Sequence, residues 1–265
     1  MIKGKTALVT GSTSGIGKAI ADRLAQEGCN VVLNGFGDAD EIKALQAEMG
    51  KEHGVQIGYS GADLTNPDAI EEMMAYVTAD FGGTDILVNN AGTQFVSPLE
   101  EFPVAKWDLI MALNLSAAFH TTRMAIGPMK EKGWGRIINI SGGNARNAGN
   151  LSGGARNVSL VHLTKTLSIH LGRHGITVNC IHPGITRTER TPGLLAARAA
   201  QLGITPEEVE RRDYDPDGSG GNSIGRMVDA DEVAYVSTFL SSDKAWAVTG
   251  ELIIATGGAG DSVYY

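Results

Sequence analysis

The sequence predicts an α/β fold, a single domain over residues 1–265 built on a doubly wound parallel sheet with helices on both faces. Three observations carry this. Short, wholly apolar runs alternate with segments of helical spacing, as strands buried on both faces alternate with their covering helices. Glycine is abundant, 35 of 265 residues, against ~7% in an ordinary chain. Much of it follows the apolar runs. A glycine-rich turn, Thr10-Gly11-Ser12-Thr13-Ser14-Gly15-Ile16-Gly17, separates the first run from the first helical segment.

Residues 6–10 are an apolar β-prone run and form the first strand. Residues 17–27 carry Ile20, Ala21 and Leu24 on one helical face, and Gly28 ends that helix. Strands follow at 31–33, 56–61 and 86–88, with helices at 40–49 and 67–81 between them. A long helix is expected over 109–132, a strand over 136–141 and a helix over 158–171. The last elements are a strand at 177–181, a helix at 231–240 and a strand at 252–254. No repeat or linker interrupts the series. Residues 187–226 are predicted to be irregular, with Pro216-Asp217-Gly218-Ser219-Gly220-Gly221-Asn222 as a flexible loop. Because they follow a strand end, where ligands sit in such sheets, they are expected to form a lid.

Composition narrows the function. With 42% hydrophobic and 20% charged residues, the chain is ordinary for a globular protein. No run approaches the ~20 uncharged apolar residues of a membrane span, so no membrane partner is expected. The opening Met1-Ile2-Lys3-Gly4-Lys5 lacks the apolar core of a signal peptide, and the expected location is cytoplasmic. The net charge of −8 argues against a nucleic-acid partner. The two cysteines, Cys29 and Cys180, have no metal-ligand spacing. They are expected to be buried thiols, and no metal is expected.

The glycine turn suits a dinucleotide. Gly11, Gly15 and Gly17 permit a tight turn and close approach of backbone to a pyrophosphate, with Thr13, Ser14 and Ile16 between them. The helix beyond supplies free N–H groups and the positive end of its dipole. This is the Rossmann-type arrangement, and the strand before and helix after make the signal strong.

The spacing G-x-x-x-G-x-G resembles the short-chain dehydrogenase/reductase family. Asn89-Asn90-Ala91-Gly92 follows the fourth strand as that family's Asn-Asn-Ala-Gly motif does. The resemblance implies that Asn90, Ala91 and Gly92 contact the cofactor, that Asp63 and its neighbour Leu64 lie at the adenine, and that Pro183-Gly184 lie near the nicotinamide. Asn114 matches the asparagine of the catalytic helix. Up to about Ile140 the chain is closer still to bacterial 3-hydroxybutyrate dehydrogenases, through Val32-Leu33-Asn34-Gly35-Phe36-Gly37-Asp38 and Glu101-Phe102-Pro103 among other segments. This puts Phe36 beside the cofactor and Gln94 at the substrate. Beyond Ile140 the chain resembles the wider family. At the end of strand two there is no Arg or Lys for a 2′-phosphate, and Asp38 repels one. NAD is therefore expected over NADP, although the usual ribose-binding acid is absent at Asn34. A small-molecule substrate and a homotetramer or homodimer through the two long helices are also implied.

One departure stands out. The family uses Ser, Tyr and Lys, the last two as Y-x-x-x-K on a helix. Aligned on Leu163-Thr164-Lys165, the tyrosine position holds Gly153 and the lysine position Asn157. The serine position falls on Gly142, or on Ser141 one residue earlier. No tyrosine occurs between Tyr76 and Tyr214, and no lysine between Lys132 and Lys165. Asn157 can offer its amide to a ribose hydroxyl. Arg146 and Arg156 can clamp an anionic substrate. Tyr214, Ser141 or Ser152 are candidates for the proton donor. Two functions remain open: an NAD-dependent oxidoreductase for a small hydroxy acid or related carbonyl, with a non-standard proton donor, and a catalytically silent dinucleotide-binding protein acting as a sensor or assembly partner.

Overall fold

The computed structural model describes residues 2–143, 149–218 and 220–260. Strand β1 (Thr6–Val9) leads to α1 (Gly15–Gln26), β2 (Asn30–Asn34) to α2 (Ala39–His53), β3 (Ile57–Ser60) to α3 (Pro67–Phe81), and β4 (Ile86–Asn89) to α4 (Val104–Met111). A π turn, Ala112–Ser116, joins α4 to α5 (Ala117–Lys132). Then follow β5 (Gly135–Ile140), α6 (Leu151–Leu171), β6 (Ile176–Pro183), β7 (Thr186–Arg187), α7 (Thr191–Leu202), α8 (Pro206–Tyr214), β8 (Val228–Asp229), α9 (Ala230–Ser241) and β9 (Leu252–Ala255).

Seven strands form one parallel sheet in the order β3-β2-β1-β4-β5-β6-β9. The order reverses between β1 and β4, so the crevice for a ligand opens at their carboxyl ends. β7 and β8 pair separately beyond that edge.

Burial on both faces accounts for the unbroken apolar strands. Val9, Val31, Val88 and Ile181 pack on one side with Ile20 and Leu24 of α1 and Val233 and Leu240 of α9. Leu8, Val32, Leu87 and Val178 pack on the other with Ile70 and Val77 of α3, Met129 of α5 and Leu171 of α6. Burying each such aliphatic side chain stabilises the fold by about 1.5–3 kcal/mol. Cys29 and Cys180 are free, buried thiols, as expected. Among the described residues, no helix is long and apolar enough to cross a membrane.

Helix α3 has the expected bounds, opened by Pro67 and capped by Asn66, which accepts the Asp68 N–H at 3.0 Å. Three expectations need correction. Helix α6 starts at Leu151, not at 158, because Asn150 caps it, accepting the Gly153 N–H at 3.1 Å. A cap and a buried face outweigh the poor helix propensity of Gly153 and Gly154. The segment expected as one helix over 109–132 begins earlier, at Val104, and passes through the π turn. Residues 187–226 are not irregular throughout, since they contain α7 and α8. The start of α8 is a capping box: Thr205 Oγ1 accepts the Glu208 N–H, and the Glu208 carboxylate accepts the Thr205 N–H.

Candidate active site

The crevice is latched across the two central strands. Thr10 Oγ1 accepts the N–H groups of Asn90 at 2.9 Å and Ala91 at 3.0 Å. In return Asn90 Nδ2 donates to the carbonyls of Thr10 at 2.9 Å and Gly11 at 3.0 Å. These bonds hold the glycine turn against the Asn-Asn-Ala-Gly segment. Gly11 and Gly15 have φ of +63° and +60°, which side-chain-bearing residues rarely adopt. A Cβ on Gly17 would collide with the Gly11 carbonyl oxygen and stand 2.5 Å from Asn90 Nδ2. Ser14, at the N-cap of α1, makes no side-chain cap, so the first turn keeps donors for a ligand. The turn thus fits a dinucleotide pyrophosphate.

Two residues that sequence reasoning missed reach this turn from beyond β7. Glu189 Oε2 accepts the Gly15 N–H at 3.1 Å, and Arg190 Nη2 lies 3.4 Å from Ser14 Oγ. The absence of a cation within the turn's own sequence therefore does not make it cation-free in space. The usable signal was position, because both follow β6, whose carboxyl end borders the crevice.

Asn34 explains itself. It is 1% exposed at the end of β2. Its Nδ2 donates to the carbonyls of Ser60 and Ala62, both at 3.1 Å, and its Oδ1 accepts the Gly11 N–H at 3.4 Å. The side chain ties three strand ends together. Phe36 beyond it is largely exposed at the rim, and its carbonyl accepts from Thr13 Oγ1 at 3.0 Å. Asp38 caps α2, accepting the N–H groups of Asp40 and Glu41. Asp63 is exposed and folds its carboxylate onto Thr65. Leu64 is a core residue, so its side chain packs inward. Gly184 N–H is held by the Ala255 carbonyl at 2.9 Å, which sets Pro183-Gly184 at the mouth between β6 and β9.

The residues expected at the substrate lie about the ends of β4 and β5. Asn114 sits in the π turn, an irregularity frequent at functional sites. Its Oδ1 accepts the Thr93 N–H at 3.1 Å. Gln94 follows on the same exposed loop. Asn157 Oδ1 is buried and has no hydrogen-bond partner among the described residues, and the buried Ser141 Oγ lies against the Cys180 thiol. A Cβ on Gly142 would lie 3.0 Å from Asn157 Nδ2, so that amide faces the end of β5. Helix α6 carries no tyrosine, and its one lysine, Lys165, is exposed and 3.6 Å from Glu251. Gly153 and Ser152 are buried at its start, and Ser152 Oγ donates to Asn150 and to the Phe95 carbonyl.

Tyr214 is not brought to these groups. It ends α8, against Gly220 and beside Asp213 and Glu210, and burial raises its pKa. A proton donor at neutral pH needs the opposite shift. Arg146 lies outside the described residues. Arg156 stands at the site, its Nη1 3.7 Å from the position of a Cβ on Gly92.

Comparison with known proteins agrees with this architecture. Residues 5–198 match the short chain dehydrogenase family model. The chain is 44% identical to D-beta-hydroxybutyrate dehydrogenase of Cupriavidus necator, over 97% of this chain and 98% of that protein. It is 43% identical to the Rhizobium meliloti enzyme of the same name, over 96% of this chain and 98% of that one. The alignments thus run through both halves of the sequence. Among solved structures, L-sorbose reductase of Gluconobacter frateurii, complexed with NADPH and L-sorbose, superposes with a TM-score of 0.91 at 28% identity, over 98% of each chain. The chain belongs to the short chain dehydrogenase family, whose members are oxidoreductases that bind a nicotinamide dinucleotide.

Proposed function

We propose that the chain binds NAD at the β1/β4 crevice and exchanges hydride with a small hydroxy acid or the matching carbonyl compound, without a Tyr-Lys pair. The observation that carries this is the intact crevice: the latched glycine turn, and a start of α1 that Ser14 leaves without a side-chain cap. Gly11, Gly15 and Gly17 bring the backbone against the pyrophosphate, flanked by Thr13, Ser14 and Ile16. Asn90, Ala91 and Gly92 line the opposite wall, Asp63 and Leu64 the adenine end, and Pro183 and Gly184 the nicotinamide end. A bound nicotinamide supplies the hydride acceptor. Ser141 and Asn114 are the polar groups we assign to the reacting oxygen, Gln94 to the substrate, and Asn157 to the ribose. NAD is favoured because the carboxylate of Asp38, not a cation, follows the end of β2. The names of the relatives make 3-hydroxybutyrate the first compound to try.

The test is absorbance at the NADH band with high enzyme, NAD and a panel of short hydroxy acids, with NADH fluorescence as the binding control. Turnover establishes a working site. A second reading, a silent dinucleotide-binding protein, is favoured by α6, which has no tyrosine and carries its one lysine exposed beside Glu251. Binding of NADH without turnover on any member of the panel selects that reading.

Self-association is proposed through the outer faces of α5 and α6, where Phe119 and Val158 are half-exposed. Sedimentation velocity reads it directly, and a single monomeric species at micromolar concentration overturns it.

A further inference from the structure

We infer that Arg156, beside Asn114 and Gly92, is the anchor for the carboxylate of the proposed hydroxy acid. This deepens the reading of the crevice as a redox site and rests on it for the acid's place beside the cofactor.

Among the described residues Arg156 is a cation without a counter-charge. Its Nε is buried and has no hydrogen-bond partner, and among the described residues no carboxylate pairs with it. Burial alone pulls its pKa below the ordinary arginine value, and no neighbouring acid offsets that effect. Other arginines behave differently: Arg187 pairs with Glu210 and Asp229, and Arg198 with Asp213.

The donors around Arg156 converge. A Cβ on Gly92 would run into Asn114 Nδ2 and stand 3.7 Å from Arg156 Nη1. The Asn114 amide fills the space a side chain at Gly92 would take, and the Arg156 guanidinium stands beside it, so two donors meet over Gly92. Asn114 Oδ1 is already taken by the Thr93 N–H, which turns the Nδ2 toward that face. A guanidinium fork matches the two oxygens of a carboxylate. Buried polar groups left without partners mark a place where a ligand completes the bonding.

An unpaired, partly buried charge costs stability, so this role makes a prediction that a structural arginine would reverse. Replacing Arg156 by Met removes the desolvated charge and should raise the apo-protein Tm by about 2 °C or more. A fall in Tm for Arg156→Met overturns the inference. The ligand test uses protein saturated with NAD, the oxidised cofactor with which a ketone cannot exchange hydride, probed by calorimetry with acetoacetate, with the uncharged 4-hydroxy-2-butanone and with inorganic phosphate. Acetoacetate should bind the wild type at least tenfold more tightly than the neutral compound. Arg156→Gln should erase that preference, and Arg156→Lys should keep part of it. Equal binding of acid and neutral compound, the preference surviving in Arg156→Gln, or phosphate alone binding each overturns the assignment. These readouts need no turnover, so they fail separately from the proposed oxidoreductase activity. NADH affinity, measured first on each variant, separates loss of the cofactor site from loss of the acid.

Discussion

The carboxylate of Glu189 accepts the N–H of Gly15 at 3.1 Å, across 174 residues of sequence. It holds a donor that the glycine turn would offer to a pyrophosphate. A dinucleotide entering the crevice must displace that carboxylate from the positive end of α1. Glu189→Gln should therefore tighten NADH binding by about two- to five-fold, the range expected for one charge at a helix end. Fluorescence titration at low salt measures it. Weaker binding by the variant would show that Glu189 helps to seat the dinucleotide instead.

Gly17 has no room for a side chain, since a Cβ there collides with the Gly11 carbonyl. Gly17→Ala should cost about 1–3 kcal/mol of stability as an overpacked site. The turn should also be pushed out of register with α1. We expect NADH affinity to fall at least about tenfold, by the same loss of close backbone approach. Circular dichroism beside the titration separates unfolding from a damaged site.

Asn34 occupies the place where a ribose-binding acid is common, but its amide is spent on Ser60, Ala62 and Gly11. Asn34→Asp should not create a ribose acid. An aspartate there would turn an oxygen toward two carbonyls and lose both donated bonds. The expected cost is about 3 kcal/mol, from unsatisfied carbonyls and a buried charge. Urea denaturation reads the loss, and an unchanged midpoint would mean that the side chain can turn outward.

Burial pushes the Cys29 thiol up to about 12 and the Cys180 thiol up to about 11. Both stay neutral through pH 8, so Ellman's reagent should react on the order of 100-fold slower with the native protein than with the unfolded chain. The sign of the pH effect follows. Each thiol's contribution to stability is complete below its ordinary value of 9.0 and is lost as pH rises toward the raised values. Denaturation midpoints should accordingly decrease as the pH rises from 9 to 11. Rapid native labelling at pH 8 would contradict the burial of both sulfurs.

Sequence by itself determined the sheet and its cofactor crevice. Apolar runs such as Val31-Val32-Leu33 need two covering layers, and the glycine spacing from Gly11 to Gly17 needs a ligand or a turn to use it. Both are short-range statements, because burial and backbone freedom are properties of a few adjacent residues. The absence of tyrosine and lysine on α6 was equally legible. Local propensity failed where a cap or a neighbour decided the outcome: α6 begins at Leu151 through Asn150, and α8 lies in a stretch expected to be irregular because Thr205 and Glu208 cap it.

Tertiary structure alone decided the rest. It placed Glu189 on the glycine turn, committed the Asn34 amide to three strand ends, and turned Asn114 through a π turn onto Thr93. It also left Tyr214 among the charged groups of α7 and α8, and set Arg156 over Gly92 without a counter-charge. Each of these depends on where chain segments far apart in sequence come to lie together. A buried hydrogen bond or an unpaired charge has no signature until that packing exists.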